Sequence, residues 1–365
     1  MKYDFLLVGS GLFNCVFAHL AIKNKKKALI LEKRDHPFGN CYTYRQNNID
    51  VHTYGPHIFH TNNPNIWNFV NQFATFNNFI YSPKVSYGDR LYSFPINLMT
   101  LYQIWGVKTP KEAIDKIEKE QYNIKNPQNL EEWFLSKVGE ELYYTFFYGY
   151  TKKQWNTEPR NLPCEIGKRL PIRYIFNENY FNDQYQGIPL DGYSLMMQNM
   201  IQDTDIILET NFLDKQDYWR KKAKTIIYTG PIDEYYDFHM GYLDYRSLRF
   251  EHEYLSQQTY QGTAAINYTD LYHEYTRIIE HKYFVPSRES DYTIITKEYP
   301  ENFNHTNDRF YPINNSQNNK LYNLYRNINK LNAKLYFCGR LGRYQYYNMD
   351  QIVASAIKKF SEIHA

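Results

Sequence analysis

The first 32 residues constrain the fold of this 365-residue chain more than any other part of it. Residues 3–8 (YDFLLV) predict a short buried strand, Gly9 and Gly11 predict a tight turn, and the apolar run that follows predicts a helix. Residues 28–31 (ALIL) predict a second strand, which ends at Glu32. An acid about 20 residues after a glycine turn is typical of a βαβ unit that binds a dinucleotide.

Each part of this predicted unit has a chemical reason. The two glycines allow the turn and let a pyrophosphate approach the helix N-terminus, where free N–H groups and the helix dipole favour anions. Glu32 stands where a carboxylate bonds a ribose hydroxyl. Asn14 replaces the third glycine of the usual G-x-G-x-x-G pattern, so the contact between helix and strand must accommodate a side chain there.

Composition excludes several classes of protein. Hydrophobic residues make up 43% and charged residues 22%, as in ordinary globular proteins, and the net charge of +3 does not favour nucleic acid or a membrane surface as partner. No apolar run reaches the ~20 residues of a membrane span, and Asp4, Asn14 and His19 interrupt a would-be signal peptide. Four widely spaced cysteines favour a reducing compartment, so we expect a cytoplasmic protein without a metal site.

The aromatic content of 18%, with 38 Tyr and 23 Phe, is unusually high. A codon-biased genome would produce it, and so would a surface that stacks on rings, because tyrosine combines an apolar face with a polar tip. Composition leaves both explanations open.

The pattern changes along the chain and predicts three regions. Helical periodicity over 111–122 and 130–147 predicts a helical insertion, and β-rich runs between 245 and 296 predict an antiparallel sheet. Residues 335–337 and 349–360 predict a strand and a helix that return to the nucleotide domain. We predict an α/β fold whose discontinuous Rossmann-like domain carries an inserted helical domain and an antiparallel β-sheet domain. The expected boundaries are 1–76, 189–240 and 330–365 for the nucleotide domain, 97–172 for the helical domain, and 77–96, 173–188 and 241–329 for the sheet and substrate domain.

Short segments spread nearly from end to end resemble the UDP-galactopyranose mutase family, flavoenzymes that interconvert the pyranose and furanose forms of a UDP-sugar. They occur in the family's order, and the set is specific although no single segment is. They are residues 8–13 (VGSGLF), 31–34 (LEKR), 39–40 (GN), 54–61 (YGPHIFHT), 149–155 (GYTKKQW), 168–173 (KRLPIR), 179–181 (NYF), 185–189 (YQGIP), 227–231 (IYTGP), 275–281 (YTRIIEH), 311–312 (YP), 339–341 (GRL) and 346–347 (YY).

The resemblance implies that the βαβ unit binds FAD rather than NAD and that the chain forms a homodimer. It implies an isomerase that interconverts UDP-galactopyranose and UDP-galactofuranose, supplying bacterial surface polysaccharide. Ring contraction exchanges the sugar oxygen bonded to the anomeric carbon without net oxidation. In the family, N5 of the reduced flavin is the covalent nucleophile at that carbon, so the enzyme is active only when reduced and depends on a cellular reductant.

The resemblance also implies the residues of the site. Arg169 and Arg277 match the catalytic arginines that bind the diphosphate, and His60 is expected on the sugar side. Tyr150 matches the residue that stacks on uracil, and Trp155 lies in a loop that closes over substrate. The other expected substrate contacts are Tyr180, Asn267, Tyr311 and Tyr346. The expected flavin-binding residues are Gly9, Ser10, Gly11, Leu12, Phe13, Glu32, Lys33, Gly39, Asn40, His57, Ile58, Gly230, Gly339, Arg340, Tyr347, Asn348 and Met349.

Beside Asn14, three positions depart from the family pattern and leave alternatives open. Phe38 and Cys338 stand where the family commonly has glycine, and Asn348 stands where it has aspartate. These departures suggest a mutase for another nucleotide sugar, such as UDP-N-acetylgalactosamine. A shared βαβ unit also allows an FAD oxidoreductase of the amine-oxidase type, and loss of activity would leave a nucleotide-sugar binder.

Overall fold

The computed structural model describes residues 2–168, 170–329 and 334–364. The strands are β1 (Tyr3–Val8), β2 (Ala28–Leu31), β3 (Thr43–Gln46), β4 (Ile49–His52), β5 (Phe59–Thr61), β6 (Lys84–Tyr87), β7 (Arg90–Ser93), β8 (Tyr185–Gly187), β9 (Asp205–Ile207), β10 (Ala223–Tyr228), β11 (Tyr245–Leu255), β12 (Ala265–Tyr268), β13 (Arg277–Glu280), β14 (Thr293–Asn302), β15 (Tyr311–Pro312) and β16 (Leu335–Phe337). The helices are α1 (Leu12–Lys23), α2 (Pro64–Val70), α3 (Leu98–Trp105), α4 (Pro110–Glu120), α5 (Leu130–Tyr143), α6 (Gly149–Trp155), α7 (Gly192–Met200), α8 (Gln216–Arg220), α9 (Ile232–Tyr235), α10 (Ser316–Asn329), α11 (Gly339–Gly342) and α12 (Met349–His364).

A parallel sheet of five strands, in the order β16-β10-β1-β2-β9, holds the N-terminal unit. All four residues of β2 are buried, as expected for a parallel strand covered on both faces. The largest apolar core packs α1, α7 and α12 together with this sheet. The predicted strand–turn–helix–strand opening and the mixed α/β fold are confirmed.

A second sheet of seven strands has the order β15-β11-β14-β13-β12-β6-β7. Its pairs are antiparallel except β12 with β6, which run parallel, so the predicted antiparallel sheet is interrupted once. Asn267, Arg277, Glu298 and Phe250 stand opposite one another on successive neighbouring strands. Residues directly opposite in a ladder project from the same face, so this row brings them together.

The helical insertion forms its own core from α3, α4, α5 and the π turn Tyr144–Tyr148. Thr109 and Glu112 form a capping box that starts α4 one residue earlier than predicted. The predicted helix over 130–147 is not continuous. Gly139 has φ 77°, and a side chain there would meet the Glu120 carbonyl, so glycine allows α5 to break and approach the end of α4.

Two elements differ from what the regional pattern suggested. β8, inside the predicted sheet segment 173–188, pairs with β5 in a separate two-stranded ladder. The segment 241–329 contains the helix α10, which packs against α9. Three-residue strands carry too little periodicity to reveal their partner, and the pairing is decided by tertiary contacts. Within the described part of the chain, no helix is long and apolar enough to cross a membrane.

Candidate functional site

The glycine turn between β1 and α1 is closed by buried side chains. Glu32 accepts hydrogen bonds from the backbone N–H and the hydroxyl of Ser10, at 2.9 and 2.6 Å, and from the Arg34 N–H at 3.0 Å. Gly9 has φ 89°, and a methyl group there would collide with the Thr229 hydroxyl. Glycine is therefore required at Gly9 by both conformation and space.

The residues around this turn fit a dinucleotide such as FAD. A methyl group built on Gly11 would meet nothing within 4 Å, so open space lies at the N-terminus of α1, where a pyrophosphate would bind. Gly39 lies within contact distance of Gly11 and borders this space, with φ 55°. Two carboxylate oxygens offer about four acceptor positions, so Glu32 can still bind a ribose hydroxyl beside its three protein donors.

The structure shows the backbone conformation or hydrogen bonds at three of the four positions that depart from the family pattern. The Asn14 amide donates to the carbonyl oxygens of Val8 and Gly9, at 3.0 and 2.7 Å, and so braces the turn from within. Phe38 has φ 77°, the left-handed conformation that glycine prefers, and its N–H donates to the Ser10 hydroxyl at 2.8 Å. Cys338 has φ −137°, an extended conformation that requires no glycine.

His57 lies in the loop that precedes β5. Its Nδ1 is 2.9 Å from the Gly55 carbonyl oxygen, which can only accept, so Nδ1 carries the proton and Nε2 is an acceptor. Burial, helped by the charge of Arg340, lowers the pKa of His57 to about 4. The ring is therefore neutral at pH 7 and can accept a hydrogen bond from a bound group.

Arg277 lies between Asn267 and Glu298 in the row of opposite residues on the seven-stranded sheet. Its Nε donates to Asn267 Oδ1 at 3.1 Å, its Nη2 donates to the Tyr150 hydroxyl at 3.0 Å, and Nη1 lies 3.9 Å from Glu298. Burial disfavours its charge, but Glu298 and the hydroxyls of Tyr150, Tyr81 and Tyr311 hold its pKa above the ordinary value. The guanidinium is a fixed cation whose side chain is 20% exposed.

Tyr311 and Tyr346 link Arg277 to Arg340, whose charge acts on His57. Their ring centroids are 5.7 Å apart, and the Arg340 guanidinium lies 4.7 Å from the Tyr346 ring. Arg340 also donates to the Tyr347 carbonyl at 2.8 Å. Through these contacts the structure brings the expected substrate residues on the sheet next to the expected flavin residues near the C-terminus.

Tyr180 and His60 form a second group. The His60 ring stacks on Phe181 at 3.7 Å, and its Nδ1–H donates to the Asp183 carboxylate at 2.9 Å. Tyr180 packs on Phe181 and on Tyr81, the tyrosine whose hydroxyl acts on Arg277. This group therefore contacts the Arg277 cluster, which consists of Arg277, Asn267 and Tyr150, through Tyr81.

The remaining predicted residues are placed as follows. The prediction that Trp155 lies in a loop is wrong, because residues 149–155 form the helix α6, which ends at the half-buried Trp155. Lys33 is exposed next to the buried Glu32. Arg169, the second predicted catalytic arginine, lies outside the described residues. Leu12, Phe13, Ile58 and Met349 are buried, Asn40 accepts from Arg34, Gly230 follows β10, Gly339 packs on Thr229 and Asn348 immediately precedes α12.

Sequence reasoning missed three charged side chains around the cluster: Glu298, Lys153 and Arg246. Glu298 is 3% exposed and is the nearest carboxylate to Arg277. Lys153 lies in the family segment 149–155, but nothing in that segment predicts a role for it. The alternation of β14 could have placed Glu298 on one face, but only its pairing with β13 shows which residue it meets. Among the described residues, no group of His, Cys, Asp and Glu could hold a metal ion.

The sequence comparisons with curated proteins match nucleotide-sugar mutases over nearly the whole chain. The family model described as UDP-galactopyranose mutase matches residues 145–346, and a model for an NAD(P)-binding Rossmann-like domain matches residues 7–73. A dTDP-fucopyranose mutase of Escherichia coli is 37% identical over 97% of this chain and 96% of its own length. A probable UDP-galactopyranose mutase of Klebsiella pneumoniae is 38% identical over 98% and 94%. A crystal structure of reduced UDP-galactopyranose mutase has a similar fold, with TM-score 0.75 and 14% identity over 99% of this chain and 95% of that one.

Proposed function

The chain belongs to the UDP-galactopyranose mutase family, and from this we propose that it interconverts UDP-galactopyranose and UDP-galactofuranose using FAD that is active when reduced. Within the family it is a nucleotide-sugar pyranose–furanose mutase. We propose further that the sugar is galactose and that the base is uracil.

One observation carries the proposal: Arg277 is held by Tyr150 and Asn267 and lies next to the tyrosines that lead to Arg340. A diphosphate leaving group needs a fixed cation, and a guanidinium can bind two phosphate oxygens at once. The substrate of an amine oxidase carries no diphosphate, so this arrangement favours the mutase over that alternative.

The chain's own residues bind and orient the substrate. We propose that Arg277 and Arg169 bind the diphosphate, that Tyr150 stacks on the base, and that Trp155 helps to exclude water from the site. Neutral His57 offers Nε2 as an acceptor on the cofactor side. Reduced flavin, when bound, supplies the nucleophile for the anomeric carbon.

A second candidate substrate is dTDP-fucopyranose, because a relative with that activity is 37% identical to this chain, and a probable UDP-galactopyranose mutase is 38% identical. The two substrates differ in the base methyl, the ribose 2′-hydroxyl and the sugar 6-hydroxyl. Identity values this close do not separate them, so both must be assayed.

We further propose a cytoplasmic homodimer whose flavin is kept reduced by a cellular reductant. The four cysteines are all unpaired, which supports a reducing compartment. The dimer rests on the family resemblance, and light scattering of the purified protein would test it.

We expect the FAD-loaded protein to convert UDP-galactopyranose into a furanose product under dithionite and to lose that turnover when the flavin is oxidised. Chromatography of the two nucleotide sugars measures the product. Parallel reactions with dTDP-fucopyranose and UDP-N-acetylgalactosamine compare kcat/KM for the three substrates.

A kcat/KM at least ten times higher for dTDP-fucopyranose would replace the proposed substrate and keep the mutase activity. Equal turnover with oxidised flavin would contradict the role of reduced FAD. Bound flavin and bound UDP without turnover of any of the three sugars would favour a nucleotide-sugar binder.

A further inference from the structure

Lys153 lies on α6 between Tyr150 and Trp155 and binds a loop from another part of the chain. Its ammonium donates to the backbone carbonyl oxygens of Tyr268, His273 and Tyr275, each at 2.9 Å. Tyr268 ends β12, and the other two residues lie in the loop 269–276 that leads into β13. An ammonium has three N–H donors, so all of them are used by this loop.

Two other contacts hold the start of α6 against the same loop. A methyl group at Gly149 would collide with the Thr269 carbonyl oxygen, so the helix and the loop backbone are as close as glycine permits. The Thr269 hydroxyl donates to the Thr145 carbonyl oxygen at 2.6 Å, in the π turn before α6. Lys153 therefore belongs to a close, polar junction rather than to a solvated helix face.

The far end of α6 is held by a different strand. Arg246 on β11 is 3% exposed, and its Nε donates to the Gln154 carbonyl oxygen at 2.8 Å. A cation at a helix C-terminus stabilises carbonyl groups that have no partner within the helix. With Lys153 on the loop and Arg246 at the C-terminus, α6 has little freedom to move relative to the sheet.

The elements joined by Lys153 carry the residues of the Arg277 cluster. Asn267 immediately precedes Tyr268 on β12, and Arg277 begins β13 directly after the loop. Tyr150 is one helical turn before Lys153, and its hydroxyl accepts from Arg277 at 3.0 Å. The separation of α6 from this loop therefore sets whether Tyr150 reaches Arg277.

We propose that Lys153 is a positioning residue that fixes Tyr150 against Arg277 and Asn267 and thereby sets the affinity for the nucleoside diphosphate part of the substrate. This inference deepens the proposed function and rests on it. Lys153 acts through these residues, because its three donors are bound to the loop.

Lys152 provides a matched control. It is the neighbouring lysine on α6, but its ammonium lies 2.7 Å from the Glu158 carboxylate and 3.2 Å from the Tyr148 hydroxyl, and its side chain is 37% exposed. A surface ion pair of this kind contributes little to stability. The same substitution at the two positions therefore removes the same charge from α6. Only Lys153→Met also removes the hydrogen bonds to Tyr268 and the loop 269–276.

The test compares Lys153→Met with Lys152→Met in the full FAD-loaded protein. For Lys153→Met we expect the Kd for UDP and the KM for UDP-galactopyranose to rise about tenfold, with kcat changed less than about threefold, because the lost contacts serve ground state and transition state alike. Amide hydrogen exchange over 149–156 and 268–276 should accelerate in this variant. Lys152→Met should leave all of these values within about twofold of wild type.

The readouts separate positioning from general destabilisation. A variant that is merely less stable loses active enzyme, which lowers the apparent kcat and leaves KM unchanged, and that result would overturn the proposal. Lys153→Gln, which keeps an amide donor, should bind UDP with intermediate affinity, and it serves as the test if Lys153→Met does not fold.

Unchanged hydrogen exchange in Lys153→Met would mean that the lysine does not hold the loop, whatever the substrate is. Faster exchange with wild-type UDP affinity would reject the positioning role while leaving the proposed function intact. Wild-type protein that neither binds UDP nor turns over any nucleotide sugar would reject the proposed function, and the positioning role for substrate would fall with it.

Discussion

Replacement of Arg277 by alanine is expected to lower kcat/KM by about 1000-fold or more while the protein keeps its flavin. The guanidinium is the charged centre that Tyr150 and Asn267 hold in place. Removal of one preorganised donor to a developing charge typically costs 100- to 1000-fold, and alanine here removes the whole cation. Steady-state assays under dithionite and the flavin absorption spectrum measure the two effects.

The same substitution also leaves Glu298 buried without its partner. Breaking a buried pair costs about 3–5 kcal/mol, so a loss of stability must be distinguished from a loss of chemistry. Arg277→Lys keeps the charge but removes the fork that spans Asn267 and Tyr150, and we expect at least a 100-fold loss of kcat/KM with little change in melting temperature. The double variant Arg277→Ala with Glu298→Gln should regain stability and remain inactive.

Arg249 supplies the control for these arginine variants. It lies on β11 with 43% of its side chain exposed, and it is paired with Glu301 and Glu251 at the surface. Arg249→Ala should keep kcat/KM within about twofold. Activity of Arg277→Ala within tenfold of wild type would mean that Arg277 does not bind the diphosphate.

The second large effect is expected at Gly11, where alanine should weaken FAD binding about 100-fold without harming the apoprotein. Gly11 has φ −65° and ψ 172°, which alanine adopts without strain, and the added methyl group meets nothing within 4 Å. In the protein alone, the reduced entropy of the unfolded chain favours such a replacement by about 0.4–1 kcal/mol, and alanine's poorer fit at the helix N-cap offsets this, so we expect little net change in stability. A pyrophosphate at the N-terminus of α1 would collide with the methyl group, and overpacking of this kind costs about 1–3 kcal/mol.

Titration of apoprotein with FAD and thermal unfolding of the apoprotein measure the two sides of this prediction. Gly9→Ala is the contrasting variant, because its φ of 89° and the Thr229 hydroxyl make it unfavourable in the apoprotein as well. Wild-type FAD affinity in Gly11→Ala would show that the pyrophosphate does not pass over this residue.

Local sequence predicted those parts of the molecule whose physics is local. The opening βαβ unit follows from apolar periodicity, two glycines and one acid within 32 residues, and its strands and helix form as expected. The family resemblance pointed to Tyr150, Asn267, Arg277, Tyr311 and Tyr346, which come from several parts of the chain and lie together in the fold. The catalytic role of Arg277 and the substrate contacts of the other four stay predictions that the variants test.

Other features depend on partners that no local pattern reveals. The parallel pairing of β12 with β6, the position of β8 beside β5, and the placement of Glu298 opposite Arg277 all depend on the register between distant strands. A strand's alternation shows which residues share a face, but the neighbouring strand is selected by packing of the whole chain.

The sequence by itself determined the dinucleotide turn, because close backbone approach, helix capping and strand burial act over a few residues, and its short segments carried the resemblance to the family. Many of the tyrosines lie in the cores and a few lie around Arg277. Only the tertiary structure decided that Lys153 is bound by three carbonyl groups, the nearest 115 residues away along the chain. A lysine on a short helix is ordinary in sequence, and its role arises from the acceptors that folding places around it.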